Sequence, residues 1–467
     1  MTEKKRIRLI GDKAFYKQVF TVTVPIMIQN LITSFVSLLD NIMVGQVGTE
    51  SMSGVAIANQ VMFVFNLTIF GALSGIGIFT AQFFGAKDEE GVRHTFRAKW
   101  YICLIMLALF LALALTKGEM LIGLFLQAGD DAAKVSLTLS EGMKYLRIML
   151  IGLLPFCVSQ VYSSTLRESG ETRKPMIASV TAVLVNLCLN YVLIFGHFGA
   201  PKLGVAGAAI ATVIARFVEC MINMTAAHRK KERFSFIKGA YRSMYIPSGL
   251  VKNMILRGLP LLLNELLWAL AMSAIQQSYS TRGLSAVAAM NINSTVSNLF
   301  SQAYFAMGSA VAILVGQLLG AEKFEEAKET DYRLIVFTFS LSVLVGAVAA
   351  LLAPLFPQLY NTSEEVRSLA TNLLRVTACF MPVTSLVHCS YFTLRSGGKT
   401  VITFFFDSFY QIVLLYPISF ILSRYTSMDM THLYIFMCSV DIIKVAVGLI
   451  LVKKGVWINN LVSNKAS

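Results

Sequence analysis

Charged side chains are scarce in this chain. Asp, Glu, Lys and Arg make up 14% of the 467 residues against 56% hydrophobic types, and the mean hydropathy is +0.66, which excludes an ordinary soluble fold. The seven cysteines, Cys103, Cys157, Cys188, Cys220, Cys379, Cys389 and Cys438, lie inside apolar stretches. They show neither a CxxC nor a Cys/His ligand spacing, which excludes a disulfide framework and a zinc centre. Enzyme motifs are missing as well. There is no hydrolase elbow, Walker loop, dinucleotide fingerprint or cluster of metal ligands, so the chain is expected to be no enzyme and to need no cofactor. Any uphill process it drives must then draw on an ion gradient. The opening stretch, MTEKKRIRLIGDKAFYKQ, is basic and polar. The apolar segment after it is too long for a removable signal peptide and lacks a small-residue cleavage site, so it is expected to stay as the first span.

What is present is one long apolar run after another, each about 20 residues or more, the length a helix needs to cross a bilayer. The pattern predicts an all-α polytopic membrane protein with twelve transmembrane helices. They fall at 16–44, 53–84, 98–117, 141–166, 175–196, 203–226, 255–281, 286–319, 332–356, 371–394, 401–423 and 432–452. An even number of spans puts both ends on one side. Lys and Arg gather in the two termini and in the loops after the even-numbered spans, which predicts cytoplasmic termini in a plasma (bacterial inner) membrane. The net charge of +14 follows this topology and argues against a nucleic-acid partner. The longest basic connection, 228–253, is expected to be a linker lying on anionic lipid headgroups.

That connection sits mid-chain, and the sequence on its two sides repeats. At an offset of 235 residues Pro25 meets Pro260, Gly48 meets Gly283, Gln82 meets Gln317, Gly85 meets Gly320 and Ala86 meets Ala321. QFFGAK thus reappears as QLLGAE, and LRESGET (166–172) reappears as LRSGGKT (394–400) at an offset of 228. Six spans are followed by six related spans in the same orientation. The expected organisation is an N-terminal six-helix lobe (1–226), a cytoplasmic basic loop (227–254) and a C-terminal six-helix lobe (255–467), pseudo-symmetric, with the working site between them.

Against this apolar background the polar residues at membrane depth are few. Asp40 lies near the end of the first span, on a helical stripe with Ser37, Thr33, Asn30 and Ile26. An intramembrane acid is a functional-site hypothesis by default, for a bound cation or a transferable proton. In span 5, Asn186 and Asn190 stand four apart on one face. In span 6, Thr212 and the carbonyl of Ala208 sit one turn apart in a run of small residues that lets backbones approach closely. Converging on Asp40, these groups would form an oxygen-only site suited to Na⁺, with Asp40, Asn186, Asn190 and Thr212 as its metal ligands, or to a proton carried on the acid. In span 7, Glu265 shares a stripe with Trp268, Met272 and Gln276, an acid beside an aromatic face suited to an organic cation. Span 11 adds Asp407, Tyr410 and Gln411, and span 10 adds His388, read as a satisfied interior histidine. Arg216 with Glu219 and Asp441 with Lys444 stand three apart and are expected to pair, while Lys144, Arg147 and Arg375 lie near span ends and can snorkel.

Several of these features occur together in one known family. The helix from Pro25 to Asp40 followed by Val-Gly, the paired QFFGAK and QLLGAE ends, the RESGETRKP loop after span 4 and the AGAAIAT segment resemble the multidrug and toxic compound extrusion (MATE) transporters over essentially the whole chain. The resemblance implies a V-shaped pair of six-helix lobes, working as a monomer that exports amphipathic, often cationic drugs in exchange for H⁺ or Na⁺. It implies that Asp40, Asn186, Asn190, Ala208 and Thr212 couple the ion, and that Glu265 is similar to the second-lobe glutamate of NorM-like members. Two positions depart from the pattern. Asn190 stands where the DinF-like branch has a second carboxylate, and the acid that accompanies the glutamate in span 10 of NorM-like proteins has no counterpart there, since Asp407 lies on span 11. Pro25 interrupts the hydrogen-bond ladder of span 1 and is the expected hinge. The alternative is a flippase for a lipid-linked sugar, a site that would want several arginines where this chain places Asp40 and Glu265.

Overall fold

The computed structural model describes residues 10–124, 132–229, 232, 234–360 and 362–463. Fourteen α-helices account for nearly all of this: α1 (Lys13–Gly45), α2 (Thr49–Gly85), α3 (Glu89–Gly123), α4 (Ala132–Ile151), α5 (Leu153–Glu168), α6 (Arg173–Phe195), α7 (Val205–Arg229), α8 (Ser248–Ser280), α9 (Leu284–Gly320), α10 (Phe324–Leu352), α11 (Glu364–Ser396), α12 (Thr400–Phe404), α13 (Tyr416–Tyr425) and α14 (Met430–Lys453). They amount to the twelve expected spans, with two of those spans broken. Eleven described helical stretches are long and apolar enough to cross a membrane singly, and α4 with α5 makes a twelfth bent by 49°.

The two broken spans have identifiable causes. Between α4 and α5 the Gly152 amide bonds back only three residues, to Met149 O at 3.0 Å, and Pro155 has no N–H to offer the next turn. Span 11 runs from 400 to 425, but only its ends, α12 and α13, are α-helical. Phe405–Phe409 and Gln411–Leu415 are π turns, and Pro417 follows them at the start of α13. Such widened turns re-aim the side chains they carry, and Asp407 sits in the first of them.

The chain forms two compact units. One comprises residues 1–27, 81–88 and 254–467; the other comprises 28–80 and 89–253. The division passes inside α1 and α2, so the start of α1 and the end of α2 belong with the C-terminal helices. In the C-terminal unit, Phe15, Val19 and Val22 of α1 join Met307, Val311 and Leu314 of α9, Leu334 of α10 and Leu394 of α11 in one buried cluster, closed by Trp457 beyond α14. A second cluster holds Ile275 and Tyr279 of α8, Ile292 and Val296 of α9, Leu373 of α11, and Leu433 and Met437 of α14.

The repeat is realised in the backbone. Ala86 N bonds Gln82 O at 2.9 Å and Asp88 N bonds Phe83 O at 2.9 Å. Ala321 N bonds Gln317 O at 3.0 Å and Lys323 N bonds Leu318 O at 3.0 Å. Lys87 and Glu322 occupy the same left-handed position, with φ 57° and 60°. The two helix ends also touch reciprocally. A Cβ on Gly85 would fall 1.9 Å from Gln317 O, and one on Gly320 would fall 1.9 Å from Gln82 O, so only glycine permits this approach.

In the N-terminal unit α6 and α7 pack closely because α7 opens with small residues. A Cβ on Gly207 would lie 2.5 Å from Leu193 O, and Ala208, Ala209 and Ala211 are buried. The basic connection is partly folded onto this unit instead of lying free. Phe234, Phe236 and Ile237 are buried, and Arg97 of α3 donates to Ala240 O at 2.8 Å, Gly239 O at 3.1 Å and Tyr245 O at 3.1 Å. Those carbonyls give the guanidinium a reason to be buried, and the loop's aromatics cover apolar surface that headgroups could not.

Candidate functional site

The close approach of α6 and α7 fixes the first group of polar residues. Asn190 and Asn186, one turn apart on α6, are both buried. Asn190 Nδ2 donates to Asp40 Oδ1 at 2.7 Å and to Asn186 Oδ1 at 3.2 Å, and Thr212 Oγ1 donates to Ala208 O at 3.0 Å. The Asn186 amide fits better turned over: its nitrogen then donates to Asp40 Oδ2 at 2.9 Å and its oxygen accepts from Thr212 N at 3.2 Å, in place of the bond from Asn190. Asp40, Asn186, Asn190, Ala208 and Thr212 are thus gathered within one unit. One atom in this group lacks a partner among the described residues: Asn190 Oδ1 is buried and receives no hydrogen bond from them. Of the rest of the Asp40 stripe, Ile26 is buried, Asn30 is half-buried and Thr33 is exposed; the side chain of Ser37 lies outside the described residues. Pro25 lies within α1, which continues through it as a helix.

A second polar group forms in the C-terminal unit. Lys444 of α14, buried, places Nζ 2.7 Å from Asp407 Oδ1. Asn264 of α8 donates to Asp407 Oδ2 at 3.0 Å and to the Tyr391 hydroxyl at 3.3 Å, and Tyr391 of α11 in turn donates to Glu265 Oε1 at 3.3 Å. Asn264 Oδ1 is taken by Ser408, whose N lies at 3.2 Å and whose Oγ lies at 2.8 Å. Glu265 and Asp407 are therefore linked through Tyr391 and Asn264. The expected Asp441–Lys444 pair does not form, because the π turn swings Asp407 into the reach of Lys444 and leaves Asp441 Oδ1 buried without a hydrogen-bond partner among the described residues. Arg216 likewise turns from Glu219 to the carbonyl of Gly152, 3.4 Å away, which it shares with Phe156 N at 3.2 Å, and lies 5.0 Å over the Phe156 ring.

The remaining residues expected at the substrate stripe are more dispersed. Trp268 is 36% exposed and Met272 40%, continuing the Glu265 face along α8, and Gln276 donates to Asn291 Oδ1 at 3.3 Å. Tyr410 is drawn away from Asp407 by a hydrogen bond to Val440 O at 2.8 Å. His388 is enclosed by Tyr304, Phe305 and Phe392 rings, with centroids 6.0, 4.9 and 4.8 Å away.

The family model MatE matches this chain twice, over residues 25–192 and 260–421. The chain belongs to the MatE family. The two matched segments open on Pro25 and Pro260, the first pair in the internal repeat. A probable multidrug resistance protein NorM of Bacillus licheniformis is 28% identical over 436 residues, covering 91% of this chain and 92% of the relative. Another of that description from Thermotoga maritima is 25% identical over 450 residues, covering 94% and 93%. The crystal structure of MATE in the straight conformation shares the fold, with a TM-score of 0.84, 22% identity and coverage of 96% and 97%. The MatE chain is therefore an integral membrane transporter and not an enzyme.

The MatE fold also brings in residues that periodicity left aside. Tyr145 of α4 is buried, bonds Asn59 Oδ1 of α2 at 3.2 Å and lies close to Thr212. Asn264, Tyr391 and Lys444 complete the second group. Asn264 stands next to Glu265, outside its i+3, i+4 stripe. Tyr391 looks like any interior aromatic, and Lys444 had a nearer partner available in sequence.

Proposed function

We propose that this MatE transporter exports amphipathic, cationic organic compounds in exchange for H⁺ or Na⁺, with Asp40 as the coupling acid. The observation that carries this reading is the group around Asp40: a carboxylate held by two amides and followed by a hydroxyl and a carbonyl, with no basic side chain bonded to it among the described residues. The buried Asn190 oxygen, without a hydrogen-bond donor, offers a further ligand to a small cation. The printed names of the relatives, probable multidrug resistance proteins, support drug export. Glu265, with Trp268 and Met272 beyond it, offers a cationic drug both charge and ring faces. The basic bias of alternate loops supports cytoplasmic termini.

In the outward-open state Asp40 takes up H⁺ or Na⁺, the charge is neutralised, and α1 rearranges about Pro25 as drug leaves. Each ligand shifts the equilibrium only by its differential affinity for the two states. The test is ethidium efflux from proteoliposomes under an imposed pH gradient and, separately, an imposed Na⁺ gradient. Wild type should respond to at least one gradient, and Asp40→Asn should respond to neither while still eluting as folded protein. Uphill ethidium efflux at the wild-type rate in Asp40→Asn overturns the assignment. Lipid scrambling without drug export would favour the flippase reading.

A further inference from the structure

We propose that Lys444 is the resident cation of the C-terminal unit: its ammonium fills the place at Asp407 that a free Na⁺ or a proton would otherwise take, so that coupling-ion binding is left to the group around Asp40. The inference rests on the reading of Asp40 as the coupling acid and adds what the second acidic group does.

Three observations carry it. First, the Lys444 ammonium is built in. Its side chain is buried, Nζ lies 2.7 Å from Asp407 Oδ1, and it stands 5.3 Å from the Phe406 ring centre and 5.4 Å from that of Tyr410. Taking an ammonium out of water is strongly unfavourable unless a carboxylate and ring faces compensate, and here they are provided. Second, Asn264 is locked in orientation. Because the Ser408 N–H donates to its oxygen, with the Ser408 hydroxyl shared between that oxygen and the main-chain carbonyl of Asn264, its NH₂ faces Asp407 and Tyr391, and the site presents donors to the carboxylate instead of spare oxygens to an ion. The Asp40 group is the opposite case: Asn186 makes hydrogen bonds in either orientation, and Asn190 keeps an oxygen without a donor. Third, the arrangement depends on the π turn at Phe405–Phe409, which puts Asp407 within reach of α8 and α14 together. The other charged or titratable groups around Lys444 and Asp407 are Glu265 of α8, Asp441 of α14, and His388 and Arg395 of α11.

A tethered cation differs from a bound one in being always present. Its effective concentration at Asp407 is set by the fold, so Na⁺ in solution competes poorly. Neutralising Lys444 should therefore create a cation site where the wild type has none. The full-length protein in detergent is compared as wild type, Lys444→Met, Lys444→Gln, Lys444→Arg and Lys444→Met/Asp407→Asn. Two readouts are taken: the melting temperature against NaCl at about pH 8, with choline chloride holding ionic strength constant, and proton uptake on acidification to about pH 6, a range where unperturbed carboxylates are already ionised. Lys444→Met or Lys444→Gln should gain a saturable Na⁺ response, or an added proton per molecule, beyond the wild type. Asp407→Asn should remove that gain, and Lys444→Arg should behave as wild type. If both neutral variants elute as folded protein with neither gain, or if the gain survives Asp407→Asn, the proposal is overturned. Because the gain is read against Asp407, a wild-type response that survives Asp40→Asn overturns the assignment of Asp40 and leaves this test intact.

Discussion

The two polar groups of this transporter use nearly the same parts and reach opposite electrostatic ends. Each unit carries a helical carboxylate, an asparagine amide donating to it, and hydroxyls nearby. Around Asp40 no basic group is bonded among the described residues, whereas Asp407 holds a buried lysine. The two sets of polar residues do not occupy matching positions of the repeat. At the 235-residue offset Asp40 corresponds to Ile275 and Glu265 to Asn30, and at the 228-residue offset Asn186 and Asn190 correspond to Leu414 and Ile418. What the duplication preserves is frame: the Gln-x-x-Gly-Ala ends and the left-handed turn after them. The chemistry differs between the halves while the frame does not, so the fold is more symmetric than its sites.

The largest expected effect falls on that comparison directly. Asp40→Asn should reduce ion-driven ethidium efflux about a hundredfold, near the upper end of ligand coupling free energies. Glu265→Gln, measured in parallel, should instead weaken the apparent affinity for cationic drugs and leave the response to the ion gradient in place. Should the two substitutions exchange these phenotypes, the C-terminal unit carries the coupling and the contrast drawn here is inverted.

The asparagines sharpen the same contrast through stability. Asn264→Ala removes the acceptor of Ser408 N and the amide donor of Asp407 Oδ2 at once, leaving buried polar groups unsatisfied, while Ser408 Oγ keeps the main-chain carbonyl of residue 264 at 2.6 Å; the variant should destabilise the protein by on the order of 3 kcal/mol. Asn190→Ala removes an amide whose oxygen was already without a donor. It should cost about 1 kcal/mol while abolishing the cation response. Detergent melting curves with and without NaCl separate the two: Asn264 reports on stability, Asn190 on the ion.

Much of this was legible in the sequence, for physical reasons that also mark where it stopped. Span number follows from runs of apolar residues, because a bilayer leaves no other way to satisfy backbone groups. The convergence of Asn186 and Asn190 with Thr212 follows from small residues at Val205–Ala211 that let α6 and α7 approach. Helical spacing carries no information on π turns, however. Spacing pairs Lys444 with Asp441, three residues away, whereas the widened turn at Phe405–Phe409 delivers Asp407 from another span. Nor does spacing see Tyr391, whose hydroxyl connects two acids across α8 and span 11. Ladder-breaking residues give the only local warning, and Gly152, Pro155 and Pro417 mark both broken spans.

The α6–α7 contact that builds the Asp40 group can be loosened without touching its polar atoms. A side chain at Gly207 would meet Leu193 O within 2.5 Å, so Gly207→Val should force the two helices apart and destabilise the N-terminal unit by about 1–3 kcal/mol. Because Ala208 and Thr212 follow on the same helix, the variant should also weaken the Na⁺ or proton response while sparing drug binding at the Glu265 face. Loss of drug binding to the same degree would mean that the two groups are not separable.

The smallest effect concerns the helix that carries Lys444. Asp429 caps α14: its Oδ2 accepts from Thr431 N at 3.1 Å, and Oδ1 bonds the His432 ring. That bond, with those from the backbone, holds the exposed Asp429 carboxyl below its ordinary range despite some opposing burial. A carboxylate whose folded-state pKa is depressed stabilises the fold above its unfolded value, about pH 4, and loses that contribution as the pH falls through the lowered one. Asp429→Ala should thus cost about 1 kcal/mol at neutral pH and progressively less as acid protonates the wild-type cap, while Asp429→Asn should retain part of it. Lys444 lies fifteen residues further along α14, roughly 22 Å at 1.5 Å per residue, far beyond the first turn over which a cap acts. If the resident cation is fixed by its own pairing with Asp407, the melting temperature of Asp429→Ala should fall with no new Na⁺ response. A response appearing in that variant would mean that Lys444 is held in place by the whole of α14, and the ion pair would then be a consequence of helix packing and not its own determinant.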